Sequence, residues 1–131
     1  MAKWVDQGEN DVLQVYLTQA VAPHSTLYIG LYTNATEPDE AATLADIVEP
    51  TGTTYARQAI ANTDWAVNGS TATATAKTFS PSGEDWGDVT GYFIATSPDN
   101  TGILLAVEHF DVAKPLTDGD QLTITPSITV E

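Results

Sequence analysis

The sequence predicts an all-β fold, an antiparallel β-sandwich or jelly roll of about seven to eight strands with one N-terminal α-helix. Three observations carry this. Apolar runs of strand length recur at short intervals between clusters of Gly, Pro, Asn and Asp, as at Ser97-Pro98-Asp99-Asn100 and Asp118-Gly119-Asp120. Residues 71–79 read as a strand in which Thr alternates with Ala over 71–76, the period of two that a strand imposes on its side chains, before Lys77-Thr78-Phe79. Helical spacing is found at residues 10–20, where Val12, Leu13, Tyr16, Leu17 and Ala20 share one face.

Residues 79–110 organise the rest. Two aromatic-rich apolar runs, Tyr92-Phe93-Ile94-Ala95 and Ile103-Leu104-Leu105-Ala106-Val107, flank a Ser-Pro-Asp-Asn turn and predict the central hairpin. At the chain start Trp4 stands beside Lys3 in a polar lead-in, either tucked back on the body or docked on a neighbouring subunit. Asn10 is the expected helix cap, with Glu9 and Asp11 at the positive end of the dipole and Pro23 as the stop. That helix is expected to cover one end of the sheet, or to dock on a partner.

Leu27-Tyr28-Ile29-Gly30-Leu31-Tyr32 reads as a strand covered in part on both faces. Residues 33–54 form a long acidic connection, with a short helical start possible after Pro38, serving as a binding surface or as a lid. Its acidic residues between Glu37 and Glu49 are expected to face outward. Tyr55 to Ile60 is the next strand, and its Arg57 is expected to pair with a carboxylate. Trp65 sits in a polar turn region, and Asn68-Gly69 signals a hairpin turn before the Thr/Ala strand. Trp86, between Gly83 and Gly87, is expected to plug an open end of the sandwich with its indole N–H satisfied locally. Pro126 lacks a ladder donor and belongs at an edge or bulge between the last two strands.

At 131 residues the chain has the size of one domain, residues 1–131, with an arm and helix over about the first 22. Eighteen acidic residues against four basic give a formal charge of −14. Phosphate backbones and anionic lipids need clustered Lys and Arg, so neither nucleic acid nor a membrane surface is an expected partner. No cysteine is present, which removes disulfides, thiolate metal sites and thiol nucleophiles. No secretory or transmembrane segment is expected, because the early apolar stretch is short and follows an acidic lead-in.

The search for chemistry finds none. His24 and His109 lack a second ligand at helical metal spacing, and no Gly-x-Ser-x-Gly or Gly-rich phosphate loop occurs. The pairs Glu84/Asp85 and Asp118/Asp120 could take a hard cation, but no twelve-residue calcium loop is spelled out. No two carboxylates stand out as a glycosidase pair. No cofactor, metal or catalytic residue is expected.

Leu27-Tyr28-Ile29-Gly30-Leu31-Tyr32-Thr33, Tyr55-Ala56-Arg57-Gln58-Ala59, Trp86-Gly87-Asp88-Val89-Thr90-Gly91-Tyr92-Phe93-Ile94 and the closing Gly119-Asp120-x-Leu122-x-Ile124 resemble small structural proteins of tailed-bacteriophage particles. The resemblance spans nearly the whole chain and implies a virion structural role: foremost a capsid decoration or cement subunit, otherwise a tail or tail-fibre component. It implies as partners the major capsid protein, copies of the chain itself in trimers or a lattice, and tail proteins. A reading from another class is a carbohydrate-binding module stacking sugars on Trp65 and Trp86. Partner contacts are assigned to Lys3, Trp4, Val5, Tyr16, Arg57 and Trp86. Val12, Leu13 and Leu17 are left as core or interface.

Overall fold

A computed structural model describes residues 1–130. It begins with a short strand, β1 (Lys3–Trp4), and a helix, α1 (Asp6–Leu13), prolonged by a π-helical turn over Gln14–Thr18. The strands that follow are β2 (Thr26–Tyr32), β3 (Gln58–Ala61), β4 (Trp65–Asn68), β5 (Thr71–Ala74), β6 (Lys77–Phe79), β7 (Gly87–Ala95), β8 (Leu104–Leu116), β9 (Leu122–Ile124) and β10 (Ser127–Thr129). All strand pairs within the sheets are antiparallel, and the fold is sandwich-like, as the sequence predicts. The ten strands exceed the expected seven to eight because β1 is too short to be seen in a pattern, Trp65 opens a strand instead of sitting in a turn, and the Thr/Ala run is split.

One sheet has five strands in the order β1-β8-β7-β2-β3, with the expected hairpin β7–β8 near its centre. Facing it are a three-stranded sheet, β10-β5-β4, and a two-stranded ribbon, β6-β9. Chain continuity from β5 to β6 and from β9 to β10 makes these two one layer. The split falls where Ala74 N–H turns to Pro126 O at 2.9 Å and Thr75 N–H to Asp64 O at 3.1 Å, so backbone partners, not side chains, divide the run. Pro126 occupies the matching break between β9 and β10.

The five-stranded sheet is apolar on both faces. Ile29, Leu31, Tyr92 and Ile94 point to the facing layer and meet Phe79, Trp86, Ile124 and Ile128. The alternate residues Tyr32, Phe93 and Ala95 point the other way and join Val5, Ala42 and Leu44. Residues 33–50 are therefore a lid over that second face. Pro38 opens no helix; a single 3-10 turn forms instead at Leu44–Asp46, closed by the Asp46 carboxylate on Thr43 N–H at 2.8 Å. Glu37, Asp39, Glu40 and Asp46 face outward as expected, while Glu49 turns inward to Arg57.

The helix departs from expectation in start and in orientation. It begins at Asp6, where Asp6 N–H meets Glu40 O at 2.8 Å, and Asn10 lies inside it. Its polar and small residues face the body. Gly8 lies against β8, where an added Cβ would stand 2.2 Å from Leu105 O, so only glycine permits the approach. Asp11 is buried and pairs with His24 Nε2 at 2.9 Å. Val12, Leu13, Tyr16 and Leu17 are consequently turned outward, at 37%, 53%, 78% and 67% exposure. The spacing identifies one apolar face, but close packing at Gly8 decides which way it points.

Candidate functional site: the apolar face at the N-terminal arm

The arm is woven into the body. Lys3 pairs with Val107 and Trp4 with Ala106 of β8, while Ala2 bridges in parallel to Ile128, so residues 2–4 join the two layers. Val5 is fully buried and donates its N–H to Leu105 O at 3.0 Å. It is a core residue, and the expectation that it docks on a partner is corrected by that burial. Lys3 remains at the surface, 3.0 Å from Glu37, an exposed pair of small energetic weight.

Trp4 is half-buried, and its indole N–H donates to Thr129 O at 3.1 Å. Its ring lines a groove of about 420 Å³ over the β10-β5-β4 sheet, walled also by Leu27, Trp65, Val67 and Ile128. A second, smaller hollow shares Trp4 and Val130 and reaches Val12 and Leu13 on the helix. The two hollows and the exposed helix face thus form one continuous apolar surface. Tyr16, the most exposed large apolar residue among those described, follows Val12 and Leu13 along the helix, in the π-helical turn. Large exposed apolar surfaces on a soluble fold mark contact sites.

The other two assigned residues are interior. Arg57 lies just before β3, its side chain 2% exposed. It grips Glu49 in a two-pronged pair, Nε to Oε1 at 2.9 Å and Nη2 to Oε2 at 3.1 Å. Its remaining donors reach Ser97 O at 3.0 Å, Asp99 O and Asn100 Oδ1, and the guanidinium sits 5.0 Å from the Phe93 ring centroid. The carboxylate pairing expected of Arg57 is present, and with every prong engaged internally it offers no ligand contact. Beside it the Tyr55 hydroxyl donates to Glu49 Oε1 at 2.7 Å and accepts from Leu31 N–H at 2.9 Å. Burial, then the neighbouring Glu49 charge, pushes that hydroxyl far above the ordinary tyrosine range.

Trp86 plugs the end of the sandwich as expected. It is 6% exposed, meets Tyr55 edge-to-face at 5.4 Å and donates its N–H to Glu84 Oε2 at 2.9 Å. Its ring face is closed, so it is neither a partner contact nor a platform for a sugar. Trp65, which the sequence reading reserved for sugars, is instead brought to the groove beside Trp4.

The carboxylates weighed for a cation close loops. Glu84 accepts from Thr53 N–H at 2.9 Å and Thr53 Oγ1 at 2.8 Å, and the Thr53 hydroxyl above all holds its carboxyl below the ordinary range. Asp118 accepts from Gly83 N–H at 2.7 Å, and Asp85 from Asp118 N–H at 3.0 Å. Asp120 accepts from Thr117 N–H at 2.8 Å, which likewise lowers its carboxyl. No three His, Asp or Glu side chains gather at metal-binding distance among the described residues. His109 stacks on Tyr32 with its Nδ1 3.2 Å from the tyrosine hydroxyl, and His24 is occupied by Asp11.

A sequence model of the family described as podophage GP4 fiber I protein gp80 matches residues 3–130. The chain belongs to this family. It is thereby a structural protein of a bacteriophage virion, as the resemblance in its strand and turn segments implies. The family match runs from the first residue of β1 to Val130, so the woven arm, the outward-facing helix and both layers all lie within the gp80 family region. No curated protein matches the chain.

Proposed function

We propose that this chain is a non-enzymatic structural subunit of a tailed-phage fibre, working through contacts with copies of itself and with neighbouring tail or fibre proteins. The observation that carries this reading is the match of residues 3–130 to a family described by a fibre protein. The geometry supports it, because the polar clusters described above close loops or tie strands, whereas the groove at Trp4 and the exposed helix residues leave apolar surface uncovered. The cysteine-free chain suits assembly in a reducing host cytoplasm.

Decoration of the capsid exterior, with the major capsid protein as partner, is the competing location. An arm built into the sheet as β1 leaves less of the N-terminal segment available for such a contact. Immunogold labelling of purified particles with antibodies against this chain tests the proposal. Gold along the tail or its fibres is the expected pattern; gold over the head would move the chain to the capsid, and unlabelled intact particles would overturn the virion role.

A further inference from the structure

We infer that the apolar face is a contact between copies of this chain, in which Tyr16 and Leu17 of one copy seat in the groove formed by Trp4, Trp65 and Val67 of another. The inference rests on the chain being a repeated structural subunit. It adds the surface and its occupant.

Charge selects the occupant. With eighteen acidic residues against four basic, two copies repel in most orientations. Among the described residues Lys3, Arg57 and Lys77 are already engaged by acids of their own chain, so few cations are left to bridge copies. A contact between copies therefore needs a surface without carboxylates. Residues 12–36, 65–76 and 121–130 contain no Asp, Glu, Lys or Arg, and these stretches supply the helix end, β4, β5 and β10. Glu9, at the rim of the smaller hollow, is the one charged side chain lining either hollow. A basic protein partner would be drawn to the acidic loops instead. A sugar would find little to bond, since the groove's side-chain hydroxyls are those of Ser70 and Thr71 and the Trp4 N–H is spent on Thr129.

Shape and area point the same way. Tyr16 and Leu17 protrude, and the groove of about 420 Å³ on the same face is open to receive them. A knob and a socket on one face pair reciprocally across a two-fold axis, or head to tail around a ring. Val12, Leu13, Tyr16, Leu17, Val67 and Val130 are six of the nine large apolar residues that stand exposed among those described. Their exposed fractions amount to roughly 700 Å² of surface, close to the ~800 Å² per partner of a standard stable interface.

Sedimentation velocity of the full chain over a concentration series tests this. The native chain is expected to associate. Tyr16→Lys and Val67→Glu, each at an exposed position, are expected to sediment as monomers with unchanged near-UV circular dichroism. Mixing the two variants is expected to restore association, because the new cation and carboxylate face each other at one contact. Should Tyr16→Lys lose its near-UV spectrum, Leu17→Lys takes its place. A native chain that stays monomeric throughout, variants that associate like the native chain, or a mixture of folded variants that stays monomeric would each overturn the inference. Presence in particles is read separately by immunogold. A solution monomer that is nonetheless found in the fibre sinks this contact alone, whereas an oligomer absent from particles sinks the fibre role alone.

Discussion

Phe93 lies directly across the sheet from Gly30, its ring filling the space that a side chain on residue 30 would need. A Cβ there would stand 2.4 Å from Phe93 Cζ and 2.8 Å from the Tyr55 hydroxyl, both held in a packed interior. Gly30→Ala is therefore expected to destabilise the fold by about 1–3 kcal/mol, the usual cost of forcing a methyl into a filled core. Urea denaturation measures it, and an unchanged midpoint would show that Phe93 can move aside.

The same ring carries Arg57 on its surface. Because that guanidinium is nearly enclosed and holds Glu49, Ser97, Asp99 and Asn100 together, removing it leaves the Glu49 carboxylate without its cation, with only the Tyr55 hydroxyl still donating to it. Arg57→Ala is expected to cost about 3 kcal/mol or more. Arg57→Lys should recover only part, since an ammonium cannot repeat the two-pronged grip. Thermal melts of the three chains, with equal stability of the lysine and arginine forms as the contrary result, decide this.

Glu84 sets a pH dependence whose direction is fixed. Its carboxyl titrates lower in the folded chain than in the unfolded one, chiefly because the Thr53 hydroxyl donates to the ionised form. The ionised group therefore stabilises the fold above its unfolded value of about 4.3, and this is lost as the pH falls through the lower folded value. The native chain is expected to be more stable than Glu84→Gln at neutral pH, with the gap closing on acidification below about pH 4. A gap that widens in acid would contradict the assignment.

Removal of residues 1–5 tests the arm. Since Val5 is fully buried and β1 pairs with β8, the truncated chain is expected to lose several kcal/mol of stability, of which the valine side chain accounts for about 2. A truncated chain melting at the native temperature would return the arm to the surface.

Much of this fold was legible because it is written locally. The β7–β8 hairpin follows from two apolar runs and a Pro-Asp-Asn turn, and the Trp86 plug follows from an indole flanked by glycines and acids two residues away. Arg57 was legible as a paired cation from charge alone. The helix was legible in its period and not in its direction, because Gly8 at β8 and Asp11 at His24 are contacts made over distance in the chain. The groove was not read from the sequence. Trp4 and Trp65 are far apart in sequence, on strands of different sheets, and come to line one groove only when the two layers pack. A local signal did exist: the absence of charge from residues 12–36 in so acidic a chain singles that stretch out.

Quantitative mass spectrometry of purified particles, with the major capsid protein as the internal reference, is the most direct test of a fibre role. A small number of copies per particle, far below the capsid protein and constant between preparations, is the expected result. Copy numbers near those of the capsid protein, or complete absence from infectious particles, would contradict it.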